Sequence, residues 1–277
     1  MLGSHRMHRT WLGLSAVGKI AAGLLFSAEP VLAAFCFFSP DLWLLYQLLV
    51  PSAQGVGPVC TSFSTGGSEV WLTIDDGPDE SDTPRILDLL DRHRARATFF
   101  LIGMKAGRHP DLVREIERRG HEVGHHTHTH PQFSFWLASA SRVRRELDLG
   151  LLAFARGGAR PRRFRAPVGI KNLFLQPALA ERGLANIAWN VRSFDCARRD
   201  PTAIAAYVLA RVKPGGIVLM HEGPAVPEAA RVEAIARLLE GLAARGYACV
   251  LPQANQLRLP SGEKVECQHR NSGGTAV

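Results

Sequence analysis

The sequence predicts an α/β fold built on a parallel sheet or barrel, preceded by a hydrophobic helical membrane segment. Three observations predict it. From Glu69 onward, short apolar runs alternate with segments of helical period, as in repeated βα units. Residues 11–50 carry only three charges, Lys19, Glu29 and Asp41. Chemically unusual residues gather where the apolar runs end, and in such folds the active site lies at the C-terminal ends of the strands.

A chain of 277 residues suffices for one large α/β domain with an added segment. At 46% hydrophobic and 21% charged, most of it has the composition of a folded rather than a disordered protein. The net charge is +8, with much of the excess in arginines between Arg85 and Arg165. That excess suits a phospholipid surface or a polyanionic polymer, and equally a plain solvated surface. No zinc-finger, RRM or basic-zipper pattern is present, so nucleic acid is not expected as a partner. The five cysteines (Cys36, Cys60, Cys196, Cys249 and Cys267) form no CxxC pair. Their odd number and long spacings exclude a disulfide framework.

Within residues 1–50, Arg6 and Arg9 precede the apolar stretch. Hydrophobicity resumes after the small residues near Ala33, which fits an uncleaved anchor better than a signal peptide. A span of about 20 residues fits residues 20–38, but Glu29–Pro30 falls in its middle. Two imperfect spans, roughly residues 11–28 and 31–50, are the alternative. With one span, the positive charge before it and its absence from 51–68 place the catalytic part outside the cell membrane. With two spans, both ends lie on one side; the extracytoplasmic placement is the one expected. Residues 51–68 are rich in Gly, Ser and Pro and read as a linker. The catalytic part is expected over 69–255 and a tail over 256–277.

The elements then follow in order. "EVWLTID" is a strand; "TPRILDLLDRHR" is a helix with Thr83 as N-cap and Pro84 at its first position. "ATFFLI" is a strand, "PDLVREIERRG" a helix closed by Gly120, and "HEVG" a strand. A helix covers Ala138 to Phe154, "RFRAP" ends a strand, "QPALAERG" is a helix and "ANIAWNV" a strand. "DPTAIAAYVLARV" is a helix capped by Asp200, "GGIVLMH" a strand, "PEAARVEAIARLLEGLAARG" a helix and "YACVL" a strand.

Four strand ends carry unusual chemistry. "TIDDGP" places two carboxylates, Asp75 and Asp76, side by side, and neighbouring strand residues point apart. One can bind a metal while the other accepts a proton, although DDGP alone is as readily a turn. "HEVGHHTHTHP" holds five histidines in eleven residues. His126 and His130, four apart, can converge on one ion, and with Asp76 they would leave coordination positions open. His125 and His128 are then bystanders or supporting groups, and His121 a surface residue. Arg165 in "FRAPVG" can hold a carboxylate ionised and aimed. His221, ending a very apolar strand, is a general-acid candidate if it meets the metal, and otherwise structural.

Together, "TIDDGP", "HHTHTHP", "FRAPVG", "WNVRSFDC" and "LMH" resemble the ordered motifs of the polysaccharide deacetylase family, also called the NodB-homology or carbohydrate esterase 4 type. The likeness covers about residues 70–251. It implies a distorted (β/α) barrel and divalent-metal hydrolysis of N-acetyl groups on sugars. It implies Asp75 as catalytic base, and Asp76, His126 and His130 as metal ligands. Arg165 would steady the base, His221 would be the general acid, and Asp195 would tune it. A backbone N–H near Val168 would help hold the oxyanion, and Leu219 would wall the acyl pocket, with Trp189 beside it. Zinc is the first choice of ion, with cobalt, manganese and nickel as alternatives.

Two positions depart from the pattern. Arg192 and Cys196 stand where the family usually has an acid and a tryptophan. Arg192 would alter the pKa of His221 or meet an anionic group of the substrate, and Cys196 would open the site. The expected function is removal of an N-acetyl group from an amino sugar of an envelope polysaccharide or glycolipid. The alternatives are a deformylase or deacetylase of a lipid-linked sugar, and a non-catalytic carbohydrate-binding relative.

Overall fold

The computed structural model describes residues 2–264, with side chains from Thr10 onward. Two helices come first, α1 (Leu2–Leu25) and α2 (Pro30–Leu49). Pro30 opens α2, where a missing N–H costs nothing. The single span expected over residues 20–38 does not form, because the chain turns between the two helices. Gly18 packs on the Cys36 carbonyl and Pro40, and Lys19 pairs with Asp41 at 3.5 Å, contacts that only antiparallel helices allow. The arrangement is the two-helix alternative, and it brings the chain back to the side from which it started. The length and apolar composition of α2 suffice to cross a membrane, and Val31, Phe35 and Leu42 on it are exposed.

The segment 51–68, expected as a linker, is instead packed. Ala53, Val56, Val59 and Cys60 are buried, and β1 (Ser62–Phe63) joins the sheet. Then come β2 (Glu69–Asp75), α3 (Asp82–Arg92), β3 (Ala97–Leu101), α4 (Gly103–Arg108), α5 (Pro110–Arg118) and β4 (Glu122–His125). The second half holds α6 (Ala140–Arg156), β5 (Arg163–Phe164), α7 (Leu175–Glu181), β6 (Ala185–Asn186), β7 (Val191–Arg192) and α8 (Pro201–Leu209). It ends with β8 (Gly216–His221), α9 (Arg231–Ala244), β9 (Ala248–Cys249) and β10 (Leu257–Arg258).

Parallel pairings run from β8 through β2, β3, β4 and β5 to β6, while β1 is antiparallel to β8 and β10. A bridge between Cys60 and Ile187 joins the two ends of the curled sheet, which makes it a distorted barrel. Alternation along β2 explains the two cores. Val70, Leu72 and Ile74 face the helices in one cluster with Phe99, Val218 and Met220. Trp71 faces the lumen with Phe63, Phe100 and Ile217. Thr73 and Asp75 follow Trp71 on the lumen side, and register places Leu219 and His221 beside them on β8.

Several expected boundaries move. The cap of α3 is at Ser81; Thr83 lies inside the first turn because its hydroxyl is used on the Glu222 carboxylate. "ANIAWNV" splits into β6 and β7, since Ile187 bridges to Cys60 and the Asn190 side chain accepts from the Ile217 N–H. The last long helix starts at Arg231, after a turn at Pro227–Ala230. The start of the expected tail contributes β10, and residues 265–277, including Cys267, lie outside the described residues. Cys36, Cys196 and Cys249 are free thiols.

Candidate active site

Asp75 is the last residue of β2, and Asp76 leaves the strand with a positive φ of 73°. That turn aims the adjacent carboxylates at different partners. Four further non-glycine residues with positive φ sit in the other strand-end loops: Thr127, His130, Val168 and Phe194. Backbone strain of this kind concentrates where side chains must be held in unusual positions.

Asp76, His126 and His130 come together. His126 Nε2 and His130 Nε2 lie 3.5 and 3.2 Å from Asp76 Oδ1, and 3.1 Å from each other. Ligands about 2.0–2.1 Å from a tetrahedral ion sit about 3.3–3.4 Å apart, so the separations fit such an ion. Asp76 Oδ1 is buried and has no hydrogen-bond partner among the described residues. His126 Nδ1 faces the Arg165 carbonyl oxygen at 2.8 Å. A carbonyl only accepts, so Nδ1 carries the proton and Nε2 turns its lone pair inward. Burial also holds both imidazoles below their ordinary pKa, that of His126 well below. A carboxylate oxygen and two neutral nitrogens aimed at one point are the donor set of a divalent cation.

Asp75 is turned to the other side of this cluster. Its Oδ1 accepts from Arg165 Nη1 at 2.7 Å, and its Oδ2 is 3.8 Å from His126 Nε2. Arg165 is fully buried and also donates to Thr73 Oγ1, the Ile187 carbonyl and the Ala188 carbonyl. Its guanidinium lies over Phe100 and Trp189. Burial raises the Asp75 carboxyl above its usual range, while Arg165 and His221 pull the other way. That balance keeps a carboxylate available as a base nearer neutral pH.

His221 ends β8 beside Asp75. Its Nδ1 and backbone N–H each lie 2.7 Å from a carboxylate oxygen of Asp195. Burial opposes charge on the imidazole, but Asp195 outweighs it, helped by Cys196 and Asp75, and the net pKa is well above the ordinary value. Burial likewise opposes charge on Asp195, and His221 overcomes it, leaving that carboxyl below its usual range.

The remaining candidates are more scattered. Leu219 is buried in the lumen one strand step below His221, and Val168 is partly exposed in the turn after Arg165. Trp189 lines the Arg165 side. Arg192 points outward over Phe194 at 4.9 Å. The charges that act most on His221 are Asp195 and Asp75. Cys196 is exposed and donates its N–H to Asp195 Oδ1. His121, expected at the surface, is 5% exposed and packs edge-on to Phe99. His125 is buried, with Nε2 on the Leu147 carbonyl and Nδ1 accepting from Thr127 N–H.

Three supporting residues carried no sequence signal, and a fourth, Thr73, opened the "TIDDGP" motif without a role of its own. Glu146 on α6 accepts from the N–H groups of His128 and Thr129 and from the Thr129 hydroxyl, fixing the histidine loop. Lys105 donates to the Asp76 carbonyl at 2.7 Å. Thr73 donates its hydroxyl to the Val218 carbonyl while accepting from Arg165. Glu222 lies buried against Gly77, where any Cβ would collide with its carboxyl.

The family model described as "Polysaccharide deacetylase" matches residues 63–187. A chitooligosaccharide deacetylase of Sinorhizobium fredii is 38% identical over 198 residues, covering 66% of this chain and 89% of the relative. A peptidoglycan-N-acetylglucosamine deacetylase of Bacillus cereus is 34% identical over 205 residues, covering 73% and 94%. Among solved structures, a family 4 carbohydrate esterase from Streptomyces lividans in complex with acetate superposes with a TM-score of 0.60 at 30% identity, covering 74% of this chain and 98% of that one.

Proposed function

Because the chain belongs to the polysaccharide deacetylase family, whose members are metal-dependent hydrolases of N-acetyl amide bonds, we propose that it removes the N-acetyl group from an amino sugar of a cell-envelope polysaccharide or glycolipid. One observation carries the reading: the Asp76–His126–His130 cluster lies against an Arg-held carboxylate, Asp75, which itself stands beside a carboxylate-held imidazole, His221.

Asp76, His126 and His130 would hold the divalent ion, with zinc as first choice and cobalt, manganese or nickel as alternatives. When bound there, the ion supplies Lewis-acid charge that polarises the amide carbonyl and acidifies water. Asp75 takes a proton from the attacking water as its oxygen bonds to the carbonyl carbon. Arg165 keeps that carboxylate aimed. His221, charged through Asp195, gives its proton to the amide nitrogen as the C–N bond breaks, so a neutral amine leaves with a carboxylic acid as the other product. The Val168 turn contributes a backbone N–H toward the oxyanion. Leu219 and Trp189 wall the acyl group, Cys196 opens the rim, and Arg192 meets an anionic group of the substrate.

Residues 51–258 form the deacetylase domain of this reading, wider than the expected 69–255 because β1 and β10 join its sheet, and residues 1–50 the membrane anchor. A hairpin keeps the N-terminus and the domain on one side of the membrane. A single crossing, with Arg6 and Arg9 on the cytoplasmic face, puts the domain on the outer face, where an envelope polysaccharide lies.

The test is acyl release by the full chain in detergent, offered N-acetyl and N-formyl chitooligosaccharides with zinc. Release that stops on chelation, returns with zinc, and is lost in Asp75→Asn supports the reading. Zinc-independent release, or release unaffected in the variant, overturns it.

A further inference from the structure

The base of the helical hairpin is joined rigidly to the rim of the site. Lys171, 1% exposed, donates its backbone N–H to the Leu48 carbonyl at 2.8 Å. Its ammonium group caps the Val50 carbonyl and the Pro51 carbonyl where α2 ends. A cation on the last carbonyls of a helix satisfies groups that have no partner within the helix. Gly169 lies flat against Pro51 and Trp189, and a Cβ there would come within 2.5 and 2.8 Å of them. The Gln47 side chain accepts from the Gly55 N–H at 2.8 Å, holding the exit from the helix. Only six positions separate Lys171 from Arg165, whose guanidinium touches Asp75.

A second clamp extends this rim. Asn172 Nδ2 donates to the carbonyls of Phe135, Trp136 and Ala138, at 2.9, 3.1 and 2.8 Å. That fastens the loop after His130 beside the hairpin base. The loop presents Phe133 and Leu137, 79% and 69% exposed, and Phe174 next to Asn172 is 46% exposed. Large apolar side chains at such exposure, continuous with an apolar hairpin, suit a lipid surface rather than water.

We propose that Phe133, Leu137 and Phe174 seat on the bilayer that holds α1 and α2, so that the site opens at the membrane surface and takes an N-acylated amino sugar carried on a membrane lipid. This rests on the deacetylase reading and names its substrate class. A soluble polymer is better served by a catalytic domain on a flexible tether, and here the tether is replaced by a fixed joint. The inference holds whichever membrane face carries the domain.

The test uses the full chain in vesicles of phosphatidylcholine and phosphatidylglycerol. A photoactivatable, carbene-generating phospholipid is expected to label residues 133–137 and 174 as well as the hairpin. Labelling confined to residues 10–50 overturns the proposal without touching the deacetylase reading. In parallel, the double variant Phe133→Ser, Leu137→Ser is assayed on N-acetylglucosaminyl lipid in the same vesicles and on soluble chitooligosaccharide. At least a tenfold loss on the lipid substrate with less than a twofold change on the soluble one supports the proposal. Equal effects on both, or none on either, contradict it.

Discussion

Asp195 holds His221 at two points, its carboxylate oxygens 2.7 Å from both Nδ1 and the backbone N–H of the histidine. The strand end and the imidazole are thereby fixed by one side chain, and Nε2 is left as the atom that faces the lumen. The same contact raises the pKa of His221 well above its ordinary value, against the opposing effect of burial. A proton donor that must stay charged at neutral pH is what departure of an amine requires.

Asp195→Asn is therefore expected to bring the alkaline limb of the kcat/KM profile to lower pH, because the proton on His221 is then held less tightly. His221→Ala is expected to lower kcat by about 10²–10⁴-fold, the usual contribution of a positioned general acid. A pH–rate series on both variants checks this. An unmoved alkaline limb in Asp195→Asn would remove Asp195 from the account.

Arg165 and Asp75 form a buried pair at 2.7 Å, and both are almost inaccessible. Arg165→Met leaves a buried carboxylate without its counter-charge, and the Thr73, Ile187 and Ala188 acceptors without their donor. Loss of one partner of such a pair costs about 3–5 kcal/mol. Urea unfolding is expected to show that loss, and Asp75→Asn in the same chain to recover part of it. A change below about 1 kcal/mol would mean that water replaces the guanidinium.

Glu222 is buried behind the Asp76 turn, and burial pushes its carboxyl up to about 8 from an ordinary 4.5. Its folded-state pKa is raised, so the stability it contributes is complete below 4.5 and is lost as pH rises through 8. Glu222→Gln has no proton to lose. Its stability relative to the unchanged protein is expected to rise between pH 5 and pH 8.5, measured by denaturant unfolding at each pH. A pH-independent difference would count against a protonated Glu222.

His121 and His125 act in the opposite sense. Burial lowers both from 6.5 to about 4, so each is neutral in the fold. Their contribution is present above 6.5 and is lost as pH falls toward 4, because the unfolded chain takes the proton first. His125→Gln should make the acid loss of stability shallower in that window, read by the same unfolding series.

The residues gathered at the candidate site were largely legible because hydrolytic chemistry demands particular types at strand ends. Adjacent carboxylates at Asp75 and Asp76, histidines four apart, and a histidine ending an apolar strand can be read without knowing the fold. The βα rhythm was legible for the same reason that β2 and β8 are strongly apolar: both of their faces are buried. What escaped was whatever depends on contacts distant in sequence. The Gly- and Ser-rich stretch 51–68 looks like a tether, yet Cys60 bridges Ile187 and Ser62 pairs with Gly216. "ANIAWNV" has the composition of one strand, and it is divided by the meeting with Cys60 and the Asn190 contact to Ile217. Glu146, Lys105 and Lys171 look like surface charges until the backbone groups they satisfy are seen. His121 looks polar and exposed, and is covered because Phe99 packs against it.

The central claim is that Asp76, His126 and His130 hold the ion while Asp75 moves the proton. Zinc titration calorimetry on Asp75→Asn and Asp76→Ala, beside acyl release by each, tests it most directly. Asp75→Asn should bind zinc within about tenfold of the unchanged protein and release no acyl group, whereas Asp76→Ala should bind zinc at least about 100-fold more weakly. Zinc affinity lost with Asp75 and kept without Asp76 would contradict the assignment.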